Sequence, residues 1–253
     1  MKNSVKINKI SISKNISSLD GIKSELENIK SKGFIKTHRS GNTGVGKTLE
    51  DLLGITENNF SIPDIGFAEL KATRATKSNL LTLFTKSPDE FGANKRLLVD
   101  YGYDVGNGLE LHTNLDANNF NNLKGSPFIK VQFDERKKKL YYQHYYDKKI
   151  DYLSYSYDTL INAFTVKYPS GTMIYVIADT KGKGINEEFW YKEAYFLEGF
   201  DSKKFLKMLK EGNIYINIRL GVYDDGSVHD HGTAFRIPHK KLFSCFNKAT
   251  KIL

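Results

Sequence analysis

From Pro63 to Lys71 the chain reads Pro-Asp-Ile-Gly-Phe-Ala-Glu-Leu-Lys. The alternation of apolar and charged residues from Phe67 to Ala72 predicts a strand, in which side chains two apart share a face. Glu69 and Lys71 therefore point the same way. Asp64 lies a few residues earlier, directly after Pro63, where a turn or bent hairpin would return its carboxylate to the side of Glu69.

This residue set has a chemical reading. Two carboxylates can share one hard cation, and magnesium prefers carboxylate oxygens while keeping several waters, so it can hold a phosphodiester oxygen and acidify a water together. The Lys71 ammonium would stabilise the developing charge or orient the water. Glu50, on a helix-like segment upstream, is placed to support the metal site or position a lysine. The competing reading is a set of solvated charges on an exposed strand, and spacing alone leaves it open.

Composition narrows the class. With 253 residues, 40% of them hydrophobic and 26% charged, the chain is globular and long enough for a sizeable core in one continuous unit. The formal charge of +9 favours a polyanionic partner, although a lysine-rich composition accounts for part of it. Cys245 is the sole cysteine, which excludes an internal disulfide or a multi-cysteine zinc site and fits a reducing cytoplasm. No apolar run reaches membrane-spanning length and the N-terminus lacks a signal peptide's apolar segment, so no membrane partner is expected.

Residues 1–17 read as a frayed arm or an edge strand. From Ser18 to Lys32, the spacing of Ile22, Leu26 and Ile29 predicts a helix capped by Ser18 or Asp20 and stopped by Gly33. Gly41 to Thr48 then satisfies the phosphate-loop pattern of Gly, four residues and Gly-Lys-Thr. That loop needs a buried strand leading into it. The lead-in, Ile35 to Ser40, is polar and basic, and Ile174 to Asp179 is the nearest imitation of the later metal-binding strand, so no nucleotide cofactor is expected. The alternative places this turn and Lys47 against a nucleic-acid phosphate, opening a helix from Lys47 to Leu53 that carries Glu50.

Gly41 to Leu53, Pro63-Asp64 with Glu69-x-Lys71, and Leu80-Leu-Thr-Leu-Phe-Thr-Lys-Ser-Pro88 together resemble the MvaI/BcnI group of type II restriction endonucleases. That group is related to the mismatch-repair nicking enzyme MutH and shares the PD-(D/E)xK nuclease fold. A second signature lies near the C-terminus, in Ile214 to Gly221 and His229-Asp-His-Gly-Thr-Ala-Phe-Arg-Ile237. The resemblance implies base contacts there. Arg219 and Arg236 suit guanine O6 and N7, Asp230 or Asn217 suits cytosine N4, and His229 and His231 can read an edge in either protonation state. Where the MvaI-type strand reads Asp-Ile-Arg this one has Asn217, a departure that puts an identical target in doubt. The His-x-His pair also has a zinc reading, but no third ligand lies close in sequence, and a structural pair of histidines is the plainer account.

Between these signatures, Phe128 to Phe133 and Leu140 to Tyr146 predict a hairpin around a charged turn, its aromatic residues serving packing rather than a nucleic-acid face. Helices are expected over Tyr157 to Phe164 and Asp201 to Lys210, a buried strand over Thr172 to Ala178, and a further strand over Ile214 to Gly221.

The combined expectation is an α/β, restriction-endonuclease-like, MutH-like mixed sheet flanked by helices. Approximately residues 1–100 would form a mostly catalytic lobe, and 101–253 a mostly recognition lobe with its supporting sheet, around a DNA cleft. The resemblance implies a monomer that uses Mg2+ to cut double-stranded DNA at a short CCNGG-like pseudo-palindrome, leaves 5′-phosphate ends and works beside a cognate DNA methyltransferase. The rivals are a MutH-like nicking enzyme that needs partner proteins, a non-catalytic DNA-binding relative, and a phosphate-loop nucleotide-binding protein.

Overall fold

The structure is a computed structural model and describes residues 14–56, 63–76, 80–123, 126–127, 129–146, 149–222, 228–230 and 232–253. The chain forms two compact units, Met1–Lys77 with Tyr168–Gly199 and Asn247–Leu253, and Ser78–Lys167 with Phe200–Phe246.

The first unit is organised on a five-stranded mixed sheet. Glu69–Arg74 is the terminal strand and runs parallel to Thr172–Lys181, with Glu69 opposite Met173 and Lys71 opposite Tyr175. Thr172–Lys181 pairs antiparallel with Glu188–Glu198, which also binds Ile35–Lys36 and Lys248–Lys251. The apolar run Ile174, Val176 and Ala178 is fully buried, as a central strand covered on a face requires.

Helix Leu19–Ser31 forms where the periodicity predicts it. Ser18 Oγ accepts the Gly21 N–H at 3.1 Å, Ile22 and Leu26 are wholly buried, and Gly33 takes a positive φ of 70° just past the end. Of the N-terminal stretch read as an arm or edge strand, residues 1–13 lie outside the described residues. Lys14–Ser17 is instead a 3-10 turn, anchored by the fully buried Ile16. A second helix, Gly44–Leu52, starts three residues before the expected Lys47. Glycine fits there because a Cβ on Gly44 would lie 2.2 Å from the Arg39 carbonyl oxygen, so the early start requires a residue without one.

The second unit contains a six-stranded antiparallel sheet with the path Leu80–Thr85, Ala234–Pro238, Tyr215–Val222, Leu109–Leu115 and Tyr103–Asp104, plus Val228–Asp230 against Tyr215–Val222. One face is covered by helices Tyr157–Lys167 and Ser202–Lys210, and an aromatic cluster fills the gap. Phe84 stacks on Phe235 at 4.8 Å, and Phe205 contacts Phe84, Phe164 and Phe235 at 5.1–5.8 Å. Asp201 caps its helix by accepting the Lys204 N–H at 2.8 Å. The expected hairpin is present as Ile129–Asp134 and Lys139–His144, and Lys149–Ser156 extends it to three strands. Phe128, named in that expectation, lies outside the described residues. The hairpin turn carries Lys138 at φ 50°, the one positive φ at a non-glycine residue among those described.

The opposite face of the six-stranded sheet is polar. Cross-strand pairing puts Arg219 beside His112, Asn217 beside Asn114, and Arg236 beside Thr82. Partners in an antiparallel pair share a face, so these residues collect away from the phenylalanine cluster.

Candidate active site

A tight reversal prepares the carboxylates of the first unit. Ile65 N–H donates to the Ala68 carbonyl at 3.1 Å and Ala68 N–H returns the bond to Ile65 at 2.6 Å, closing a two-residue loop at Gly66 and Phe67. Thr172 Oγ1 donates to the Phe67 carbonyl at 2.5 Å and ties that loop to the neighbouring strand. The reversal brings Asp64 alongside the strand that follows, and its Oδ2 accepts the Leu70 N–H at 3.2 Å.

Glu69 and Lys71 then project from one face of the strand, as their spacing requires. Lys71 Nζ lies 2.5 Å from Glu69 Oε1, with the Glu69 side chain fully buried and Lys71 only 24% exposed. Burial by itself would lower the Lys71 pKa. The charges of Glu69 and Asp64, the hydrogen bond to Glu69 and the charge of Glu50 outweigh it, and the pKa is raised. Lys71 is therefore a firmly protonated ammonium in this arrangement. Its response to Glu50 also puts that half-buried residue, on helix Gly44–Leu52, in the same electrostatic neighbourhood as Asp64 and Glu69.

The donor set is all carboxylate oxygen, the chemistry of a hard divalent cation. Among the described residues no group of three or more His, Cys, Asp or Glu side chains converges into a ready cage. A cation that retains most of its waters needs only one or two carboxylates. Asp64 and Glu69, five residues apart in sequence and both acting on the Lys71 ammonium, fit that requirement.

The glycine-rich segment serves the same neighbourhood through local contacts. Arg74 Nη1 donates to the Asn42 carbonyl at 3.1 Å and Nη2 to the Gly41 carbonyl at 2.8 Å, so the turn offers oxygens to a guanidinium. Lys47 Nζ is 2.7 Å from Asp51 Oδ1, and Thr48 Oγ1 accepts the His38 N–H at 2.9 Å. In a phosphate loop those groups would face phosphate and metal. Here each has a protein partner that accounts for its residue type.

In the second unit, the predicted residues Asn217, Arg219 and Arg236 share the polar sheet face. Arg236 Nη2 donates to the Leu80 carbonyl at 2.6 Å and Nη1 to Asn217 Oδ1 at 3.3 Å. Burial, and then the nearby Arg219 charge, lowers the Arg236 pKa. The Nε atoms of both arginines are buried and make no hydrogen bond among the described residues, a cost that two cations on one face add to. Asp230 accepts from Asn94 Nδ2 at 2.8 Å and from Gly232 N–H at 2.7 Å, which fixes its carboxylate on the loop. His231 and the His229 side chain lie outside the described residues, and with them the zinc reading of that pair.

Sequence reasoning missed His112, Asn114 and Asn94. The first two had a legible signal, because Leu109–Leu115 places both polar residues on one parity of a strand whose other parity holds Thr113 between the buried Leu111 and Leu115. Asn94 had none, since its partners lie far along the chain. Arg74 was also missed as the organiser of the glycine-rich turn.

A mixed sheet whose terminal strand carries Glu-x-Lys, with an aspartate folded back beside it, defines the restriction-endonuclease-like class of nucleases. Comparison with known proteins specifies the group. A family model described as the MvaI/BcnI restriction endonuclease family matches residues 23–246, and the chain belongs to that family. It is accordingly a type II site-specific nuclease. Among solved structures it is similar to the restriction endonuclease MvaI in complex with its cognate DNA substrate, at 31% identity and a TM-score of 0.82, covering 96% of this chain and 100% of that one. It is also similar to MvaI in the absence of DNA, at 32% identity and a TM-score of 0.56, covering 91% and 96%. No curated protein matches in sequence. Among the described residues no helix is long and apolar enough to cross a membrane.

Proposed function

We propose that this protein hydrolyses phosphodiester bonds of double-stranded DNA at a short CCNGG-like pseudo-palindrome, with Mg2+ held by Asp64 and Glu69, leaving 5′-phosphate ends. The observation that carries the reading is the 2.5 Å contact between the ammonium of Lys71 and the wholly buried Glu69 carboxylate, with Asp64 turned back beside them. Burying such charges together is costly for a fold, and a catalytic role explains why the chain retains them.

When bound, the metal supplies Lewis-acid polarisation of a phosphate oxygen and a water of lowered pKa. Asp64 and Glu69 anchor that charge at the end of a strand held in register by Thr172–Lys181. Lys71, kept protonated by its acidic neighbours, donates to the attacking water or to the non-bridging oxygens as negative charge builds on them. Glu50 balances Lys71 from the helix and keeps its ammonium directed into the site. Lys47 and the turn before it would lie along the DNA backbone.

Arg219, Arg236, Asn217, Asp230, His229 and His231 are the proposed base-reading groups, and the related MvaI complex with cognate DNA supports assigning a DNA-binding role to this chain. We assign catalysis to the unit that contains Asp64 and base recognition to the unit that contains Arg236, in place of a division near residue 100. The enzyme acts as a monomer in the bacterial cytoplasm, beside a methyltransferase that protects its own target.

The test is incubation of the purified chain with unmethylated plasmid and MgCl2, without ATP, followed by sequencing of the ends. Discrete fragments with 5′-phosphates at one repeated sequence are expected, abolished by a chelator and by Asp64→Ala. Cleavage that survives Asp64→Ala at the wild-type rate would overturn the site assignment, and nicking alone would move the function to a MutH-like enzyme.

A further inference from the structure

On the polar face of the six-stranded sheet, Asn217 is only 6% exposed and pairs across the strands with the exposed Asn114. Its Nδ2 donates to Asn114 Oδ1 at 2.9 Å and to the Thr113 backbone carbonyl at 3.3 Å. Its Oδ1 accepts from Arg236 Nη1 at 3.3 Å. A main-chain carbonyl only accepts and a guanidinium only donates. These two neighbours therefore settle which end of the Asn217 amide is which. The reversed amide would set oxygen against the Thr113 carbonyl and an NH2 against a cation.

An aspartate, the residue of the MvaI-type strand, would meet this surrounding differently. One carboxylate oxygen would face the Thr113 carbonyl and Asn114 Oδ1 with no proton to share. The asparagine here donates inward and keeps its oxygen on the Arg236 side, where an amide oxygen has a second lone pair beyond the one Arg236 engages. The exchange thus preserves an acceptor at that point while removing a negative charge. Asn114 adds a second inward acceptor, and its Oδ1 makes the shorter of the two inward contacts, 2.9 Å against 3.3 Å, so it pins the position of an amide whose orientation Thr113 and Arg236 set.

We infer that Asn114 is a positioning residue that holds Asn217 with Oδ1 presented beside the Arg236 donors, and that this acceptor and donor pair reads the exocyclic amino group of a cytosine or adenine next to a guanine edge. The inference rests on the base-reading role proposed above for this face. Cytosine N4 and adenine N6 both donate in the major groove, and guanine O6 and N7 both accept. A donor next to an acceptor on the DNA is the complement of an acceptor next to a donor on the protein. The alternative is an Asn–Asn pair that merely ties two strands together, as such pairs do in ordinary sheets.

The two accounts separate by experiment. Once cleavage mapping has given the target, each cytosine in it is replaced singly by 2-pyrimidinone, and each adenine by purine, which deletes only the amino group. kcat/KM is then measured for the full-length protein on each duplex. The wild type is expected to lose roughly tenfold to a hundredfold at one position. Asn114→Ala is expected to lose a similar factor on the unmodified target, and its penalty at that position alone should fall toward one, while other positions keep theirs. Asn114→Asp, whose oxygens only accept, should retain the position-specific penalty even if its added charge weakens binding throughout. Thermal melting checks that each variant is folded.

An Asn114→Ala enzyme that keeps the full penalty would overturn the positioning role and leave base reading intact. If Asn114→Ala does not fold, Asn114→Leu, which removes the acceptor and keeps the volume, decides, and the full penalty retained there would overturn the role equally. A wild type indifferent to every amino deletion would overturn the base-reading assignment of Asn217 itself, and with it this inference.

Discussion

Arg74 and Glu187 lie 113 residues apart in sequence and meet edge to edge, Nε on Oε1 and Nη2 on Oε2, each at 2.6 Å. The two side chains are 4% and 11% exposed, and the guanidinium also sits over the Phe189 ring at 5.1 Å. Its remaining donors bind the carbonyls of Gly41 and Asn42. One side chain thus links the strand Glu69–Arg74, the residue that leads into Glu188–Glu198 and the turn before the Glu50 helix.

Removing Arg74 would leave Glu187 buried without its cation and the Asn42 carbonyl without its guanidinium donor, while the Gly41 carbonyl would keep the Gly44 N–H at 3.2 Å. Arg74→Ala is expected to cost about 3–5 kcal/mol, read as a lower midpoint in urea unfolding. Arg74→Met with Glu187→Leu should recover much of the ion-pair loss, because an apolar pair of similar volume carries no desolvation cost. A single variant within about 1 kcal/mol of wild type would mean that the fork contributes little to the fold.

Lys71 tests the proposed catalytic role of the strand Glu69–Arg74. Lys71→Met keeps the length of the side chain and removes the ammonium, and single-turnover cleavage is expected to fall by about a hundredfold to a thousandfold. Lys71→Arg keeps the charge but brings a planar fork into a niche shaped around one nitrogen at 2.5 Å. It should recover less than a tenth of the lost rate. Target binding, followed by anisotropy, should persist in both. A Lys71→Met enzyme cutting at the wild-type rate would remove Lys71 from the chemistry.

The local half of this site was legible in the sequence because local rules govern it. Period two places Glu69 beside Lys71 and a tight turn returns Asp64, so nine residues carry their own geometry. The helix Leu19–Ser31 was legible for the same reason, with its cap and its apolar spacing written within one segment. The glycine-rich turn was not. Its pattern has two physical explanations, and only the distant Arg74 selects between them. Asn114 and His112 become part of a face through pairing with Tyr215–Val222 about a hundred residues on, and no periodicity within Leu109–Leu115 names that partner strand.

Asp51 gives a prediction in pH. Burial alone would raise its pKa, but the hydrogen bonds from Lys47 and His38 and their charges lower it below the usual 3.8. The lowered value means that the folded state binds its proton less readily than the unfolded state. The stabilisation is therefore present above the unfolded value and is lost as pH falls through the folded one. With its side chain 30% exposed, Asp51 contributes about 0.5–1 kcal/mol at neutral pH. Asp51→Asn should show that deficit at pH 7 and converge on the wild type below about pH 3. A deficit that stays constant down to pH 2 would assign the effect to packing.

Gly44 and Gly46 open the same helix and should respond to alanine with opposite signs. Helix propensity alone favours alanine over glycine by about 1 kcal/mol at either position. A Cβ on Gly46 would have only Glu50 Oε1 within reach, at 3.9 Å, which is ordinary contact. Gly46→Ala should therefore stabilise the protein by about 0.5–1 kcal/mol. A Cβ on Gly44 would stand 2.2 Å from the Arg39 carbonyl oxygen and 2.8 Å from Thr37 Oγ1. The first of these is backbone and cannot rotate away, and Thr37 itself donates to that same oxygen at 2.6 Å. Overpacking of this kind costs about 1–3 kcal/mol, enough to exceed the propensity gain, so Gly44→Ala should lower stability by up to about 2 kcal/mol. Because this helix carries Glu50, the displaced N-terminus should also slow cleavage, whereas Gly46→Ala should leave folding cooperative and the midpoint raised. Stabilisation by both substitutions would show that the turn tolerates a side chain at Gly44, and the close approach to Arg39 would then no longer explain the glycine.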